Sequence, residues 1–549
     1  MTDHPTLPSL VDGVLAWHFD RFPGLAAMLG SLAHDRTFGD FSAAGFTDHE
    51  REVGQWLTRF EAVPDDGLSL DESVDRDLLI SVLRGMRAKA SWPEWRRDPS
   101  TYLSSVLYPL LTAFLHRPRP EPELVDTVLV RLAEVPSVLA ACRANLDPEL
   151  ASPLIVRRAI GQARSSRSFV TRTLPAQVDD PALRARLAAA AEPAAVAFDE
   201  LAAFLDDFAE RATGDWRMGA ELYSTLLVEQ ELLGYGASEL HARGITAYDE
   251  LEAEMNELTA PRRWHDVMLA LQEDHPPTVE DMRAEYEAET RRARAFLVER
   301  ELVTFAEGEE CLVVPSPEFR RPIAAVASYM SPPPLAAGRT GHFFVPYPPD
   351  DFTAEQVVQR LRTNTRGQLP TIAVHETYPG HHWHLSWLAT QDRPVRKVLR
   401  TPYFAEGWAL YAEKLLREHG YFTEPAHELA HLEARLFRAA RMIVDTALHC
   451  GDMTQEGAEE FMTAKTSLTP GTAKAEVNRY CAMPTQAPSY LTGALEIESI
   501  RADYLGAGRG TLREFHDTIA GSGALPLGLA RRVALGGGTD EHTNGDSYA

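Results

Sequence analysis

From residue 9 to about 300, apolar residues recur at the three-to-four-residue spacing of amphipathic helices, and the pattern returns from Thr353 to about 534. A chain patterned this way buries its apolar stripes by packing helix on helix, so a mainly α fold with a large multi-helix body is expected. The segments 123–145, 181–212 and 280–300 are clear examples, and Ala188–Phe208 is rich in the strongest helix former. Pro64-Asp65-Asp66-Gly67 and Asp179-Asp180-Pro181 punctuate them. At 549 residues, 44% of them hydrophobic, the chain supports a full core and more than one subdomain.

The texture changes between 301 and 350. Glu310-Cys311-Leu312-Val313-Val314 and His342-Phe343-Phe344-Val345 read as short strands, so a small antiparallel β element is expected near 310–347. Between them, Ser331-Pro332-Pro333-Pro334 cannot be helix interior. The organisation predicted is a helical region over 1–300, this β-containing segment over 301–350, a second helical region over 351–534, and a disordered Gly/Asp/Thr/Asn-rich tail over 535–549.

The formal net charge of −26 argues against nucleic acid and against anionic membranes as partners, because both demand a basic surface. The first residues lack a basic start followed by an apolar run, and no stretch of eighteen apolar residues occurs, so a cytoplasmic protein without a membrane span is expected. Four scattered cysteines, with no CxxC pair, predict buried small hydrophobes rather than disulfides or a thiolate metal knuckle. The oligomeric state is not legible at this level.

The segment Val374-His375-Glu376-Thr377-Tyr378-Pro379-Gly380-His381-His382-Trp383-His384 carries the chemistry. It is close to HExxH, where histidines at i and i+4 bind zinc and the glutamate is a general base, but proline occupies 379. In an unbroken helix His381 points away from His375, and His382 lies roughly 10.5 Å further along the axis. Neither meets an ion shared with His375 at bonds of about 2.0–2.1 Å. Pro379 removes the N–H that would bond to the His375 carbonyl and clashes with it, while Gly380 tolerates unusual backbone. A bulge there makes His381 the second ligand, with His382 as the alternative. A zinc hydrolase needs a third ligand. Glu406, near the start of the next helix and 25 positions beyond His381, is the candidate, with Glu413 two turns later in support. His384 is expected on the helix surface or behind the ligands.

Three ordered motifs extend this reading. His375-Glu376-Thr377-Tyr378-Pro379-Gly380-His381-His382 is followed by Glu406-Gly407-Trp408-Ala409-Leu410-Tyr411, then by Arg479-Tyr480 with Pro484-Thr485-Gln486-Ala487-Pro488-Ser489-Tyr490 and Gly493. Together, along roughly residues 210–505, they resemble the bacterial domain-of-unknown-function family 885. That resemblance implies a fold similar to the thimet oligopeptidase and carboxypeptidase Taq zinc peptidases, with a deep channel between two helical halves. It departs from the family pattern at Thr485, where glycine is usual, and at His384, where glutamine is usual.

What this implies is zinc-dependent hydrolysis of an amide, most simply a peptide bond. His375, His381 and Glu406 hold zinc, and Glu376 is the general base. Tyr490, whose position matches a catalytic tyrosine of the related peptidases, or else Tyr480, donates to the developing oxyanion, and Arg479 pairs with a substrate carboxylate. Three rivals use the same residues: a non-haem iron enzyme built on the His/His/Glu set, a non-peptide amide hydrolase or biosynthetic enzyme, and a metal-free interaction protein.

Overall fold

The computed structural model describes residues 6–536 apart from 318–320, 322–325, 350 and 452. Among the described residues helices make up 69% and strands 3%, so helix-on-helix packing decides the architecture. Helix starts follow the local chemistry. Ser69 and Glu72 close a reciprocal capping box at the start of Leu70–Lys89, satisfying two otherwise orphaned N–H groups. The Asp180 carboxylate accepts from the Ala182 and Leu183 N–H groups, with Pro181 at the first helical position, and opens the 29-residue helix Pro181–Ala209. The alanine-rich stretch lies inside that helix.

The apolar interior forms two large cores. One is built from residues between Phe38 and Ala212. The other joins residues 7–83 to residues 218–534 and includes Trp383 and Trp408, stacked at 5.4 Å. A smaller cluster around Tyr286, Phe343 and Leu369 ties the β segment to the helices.

The β element differs from expectation. It is a mixed three-stranded sheet, not an antiparallel one: β1 (Glu310–Pro315), β2 (Ser328–Met330) and β3 (Thr340–Val345) lie in the order β1-β3-β2. β1 pairs parallel with β3 in the register Glu310↔Thr340, and β2 pairs antiparallel with β3. The 24 residues between β1 and β3 form a crossover long enough for parallel pairing, which no hairpin turn could supply. The Ser331–Pro334 run follows β2 and is not helical.

The four cysteines are free; Cys142 and Cys481 are buried and Cys311 and Cys450 half-buried. Among the described residues no helix is long and apolar enough to cross a membrane. The last helix ends at Leu535, and residues 537–549 of the expected tail lie outside the described residues.

Candidate metal centre

The His-rich segment is two helices rather than one bulged helix. Leu369–Glu376 stops at Thr377, and His381–Ala389 begins anew. Between them the Gly380 N–H reaches the Val374 carbonyl at 3.1 Å and the Trp383 N–H the Thr377 carbonyl at 3.1 Å, both spanning six residues. Pro379 contributes no donor, as its chemistry requires. A Cβ at Gly380 would stand 2.0 Å from the His375 carbonyl oxygen and 2.3 Å from that of Val374, so only glycine fits. Trp408 pins the break, its indole N–H donating to the Pro379 carbonyl at 2.8 Å.

This break brings His375 and His381 face to edge, with ring centroids 4.9 Å apart. Glu406, on Pro402–Glu418, places one oxygen 3.6 Å from His375 Nε2 and 3.4 Å from His381 Nε2. All three ligand-type atoms lie within 4.8 Å of one another. The Glu406 distances are too long for strong hydrogen bonds. They match donors arranged around a tetrahedral ion, whose ligand atoms at zinc bond lengths stand roughly 3.4 Å apart. Two imidazole nitrogens and one carboxylate oxygen are also the donor types zinc takes.

His375 is held from behind. Its Nδ1 lies 2.8 Å from Glu413 Oε1, and a carboxylate only accepts, so Nδ1 carries a proton and Nε2 is turned toward Glu406. Thr371, one turn before His375, donates to the other Glu413 oxygen at 2.6 Å, and His431 Nδ1 lies 3.4 Å from it. Neither Thr371 nor His431 was anticipated from sequence. Thr371 is legible afterwards as i−4 on the His375 face, whereas His431 lies on Pro425–Cys450, where no local pattern marks it.

The charges are arranged in opposition. Burial disfavours ionising Glu406 and Glu413, yet the adjoining imidazoles outweigh it and hold both carboxyls well below the ordinary range. Burial likewise disfavours a charged His375, but Glu406 and Glu413 raise it to about 10 in the metal-free arrangement. Glu376 goes the other way: burial, reinforced by Glu406, raises its pKa. A carboxyl shifted upward beside the His375 and His381 imidazoles suits a proton acceptor that must later give the proton up.

The remaining candidates divide. Both His382 nitrogens are engaged, Nε2 with Glu309 at 2.7 Å and Nδ1 with the Tyr329 hydroxyl at 2.9 Å, so His382 stands apart from the His375–His381–Glu406 cluster. Its own turn of helix aims it at a side chain only 2% exposed, one that also accepts from Tyr378 at 2.5 Å. His384 is fully buried rather than on the surface; it packs on Phe404 and Trp408, neither nitrogen has a hydrogen-bond partner among the described residues, and burial depresses it to about 3. Tyr490 lies beside the cluster, its ring 6.4 Å from that of His375. Tyr480 is fully buried and donates to Glu476 at 2.7 Å. Arg479 is also committed, to Glu476 at 3.0 Å and to Gln486.

Two glycines set the distance between the Glu406 and Tyr490 helices. A Cβ on Gly493 would lie 1.8 Å from the Tyr403 carbonyl, and one on Gly407 would lie 2.5 Å from Gly493 Cα, so Pro402–Glu418 and Ser489–Gly506 touch backbone to backbone. At Thr485 the departure from glycine has a visible cost. Its φ is +70°, a left-handed conformation that β-branched residues disfavour. The Asp445 carboxylate accepting its N–H at 3.1 Å and the Tyr403 hydroxyl donating to its carbonyl at 3.0 Å hold it there. Thr485→Gly is expected to stabilise the fold by about 1 kcal/mol, because the relieved strain exceeds the added chain entropy. Denaturant titration of the two proteins reads this directly, and a lower midpoint for the glycine variant would contradict it.

Fold and site together define a mainly helical protein with a His/His/Glu cluster, His375 buried and His381 and Glu406 half-buried, at a break between two helices. The family model described as "Bacterial protein of unknown function (DUF885)" matches residues 23–533, and the chain belongs to that family. Two solved structures share its fold. One is described as "a putative lipoprotein of unknown function" from Shewanella oneidensis, with 21% identity and a TM-score of 0.78 over 97% of this chain and 100% of that one. The other, "the putative lipoprotein from Colwellia psychrerythraea", has 19% identity and a TM-score of 0.81 over 96% and 98%. At these identities the likeness speaks for the fold. No curated protein matches the chain.

Proposed function

We propose that this protein is a zinc-dependent hydrolase of amide bonds, acting on peptides or small amides. The observation that carries the reading is the spacing of the His375, His381 and Glu406 donor atoms, 3.4 and 3.6 Å across Glu406, beside Glu376. These three residues would hold the ion. When bound, zinc supplies a Lewis acid and a water whose pKa is lowered toward about 7. Glu376 accepts the proton of the attacking water and later passes it to the leaving amine. Tyr490 donates to the carbonyl oxygen as negative charge builds on it. Glu413 fixes the tautomer and orientation of His375. The relation to the thimet oligopeptidase and carboxypeptidase Taq peptidases belongs to this same reading and rests on the motif order.

The test is the metal content of the purified protein, by element and per chain, followed by a mixed peptide library and a set of acylated small amides. About one zinc per chain with cleavage supports the reading. Stoichiometric iron, or no metal after incubation with zinc, overturns it. Cleavage of amides without peptides narrows it to a non-peptide substrate. Single substitutions test the ligand set: His381→Ala should lose the metal and His382→Ala should keep it, because His382 is already spent on Glu309 and Tyr329. Metal analysis of both variants decides, and loss from His382→Ala alone would reverse the assignment.

A further inference from the structure

The helix Pro425–Cys450 carries a buried polar stripe at helical spacing, and each member but one is matched by a group on another element. His431 lies against Glu413, Arg435 pairs with Glu498 at 2.8 Å, and Arg441 pairs with Glu476 at 2.9 Å. Asp445 accepts from Tyr223 at 2.5 Å, and His449 meets the Tyr480 carbonyl at 3.0 Å.

Arg438 is the exception. It is half-buried, and among the described residues no carboxylate lies within ion-pair distance of it. Its Nη1 donates only to the Ala434 carbonyl of its own helix, at 3.1 Å. Its Nε is buried without an acceptor. The Nε–Nη2 edge is the two-donor fork by which Arg366 grips both oxygens of Glu285 elsewhere in this molecule, at 3.2 and 3.0 Å. In a chain with 80 acidic residues, an arginine on this stripe left without one invites an anion from outside.

Its position says which anion. The guanidinium carbon lies 5.8 Å from the centre of the Tyr490 ring, and that ring lies 6.4 Å from the ring of His375. Arg438 is thus within a few residues of extended chain from the metal cluster. Its field also reaches Glu376 and Glu413.

We propose that Arg438 binds the α-carboxylate of a substrate whose scissile amide sits at the His375–His381–Glu406 cluster, which makes the substrate a short peptide free-acid or an N-acylated amino acid. The proposal rests on the hydrolase reading for the word substrate, and on the unpaired guanidinium for the carboxylate. It also moves the carboxylate-binding role from Arg479, already ion-paired with Glu476 and bonded to Gln486, to Arg438.

The experiment uses the zinc-incubated full chain and matched pairs of probes: N-acetyl tripeptides and N-acetyl amino acids, each as the free acid and as the carboxamide. Binding is measured by calorimetry and cleavage by release of free amine. The readout is the acid-to-amide preference, which general damage to the protein does not remove selectively. Wild type should favour the acid by about 10- to 100-fold, the range of one charge-assisted contact. Arg438→Gln should abolish that preference and Arg438→Lys should keep part of it, with metal content and melting temperature recorded for both. Preference seen with tripeptides or with acyl amino acids identifies which source of carboxylate the site takes. Equal treatment of acid and amide by wild type, no binding of either, or a preference that survives in Arg438→Gln overturns the proposal. Preferential binding of acids without cleavage of any probe would leave Arg438 supported and sink the hydrolase reading alone.

Discussion

Replacing Glu376 with glutamine is expected to leave zinc bound and to cut turnover by about 10²- to 10⁴-fold, the contribution of a positioned general base. Glutamine keeps the volume and polarity of the side chain but has no site for the abstracted proton. Because Glu376 is not among the three converging donors, metal content should not follow turnover down. The same substitution removes a buried carboxyl whose ionisation burial and Glu406 both oppose, so it should cost little stability. The measurements are zinc per chain, melting temperature and kcat/KM on whichever amide the library identifies. Turnover within threefold of wild type would dismiss Glu376 as the base, and loss of zinc would show that it belongs to the ligand set.

Much of this site was legible before any coordinates, because the decisive constraint is local. Proline at 379 and glycine at 380 cannot continue a helix that would point His381 away from His375, so an irregularity turning His381 toward His375 was expected, with His382 kept as the alternative. The form of the irregularity was not legible. A bulge and a full break between Glu376 and His381 satisfy the same sequence, and tertiary contacts such as the Trp408 bond to the Pro379 carbonyl select the break. The strands were found but their pairing was not, since alternation marks a strand without saying which partner lies beside it. Gly407 and Gly493 stood in the motifs as letters; only the packed helices give their reason, a backbone contact that no side chain permits. His431 and Arg438 were invisible in sequence because the groups they face, Glu413 and Tyr490, lie on other helices.

Glu413→Ala should do more structural damage than loss of a ligand would, because it strips the partner from several buried groups at once. Glu413 accepts from His375 and Thr371 and adjoins His431, and its side chain is 2% exposed. Breaking such a buried pair on one side costs about 3–5 kcal/mol. Metal affinity feels two opposing effects. Losing the group that orients His375 weakens binding by about 10- to 100-fold. Against this, the metal-free site holds a proton on His375, raised to about 10 partly by Glu413, and zinc must expel it. The sign follows: wild-type affinity should rise with pH as long as that proton is bound, toward pH 10. Without Glu413 the proton leaves at lower pH, so the variant's affinity should flatten earlier. At neutral pH the orientational loss is expected to win, giving weaker zinc binding with a shallower pH dependence. Chelator competition across a pH series, with calorimetric unfolding alongside, measures both. An unchanged pH slope would mean that Glu413 does not control the proton on His375, and unchanged affinity would mean that it does not position the ring.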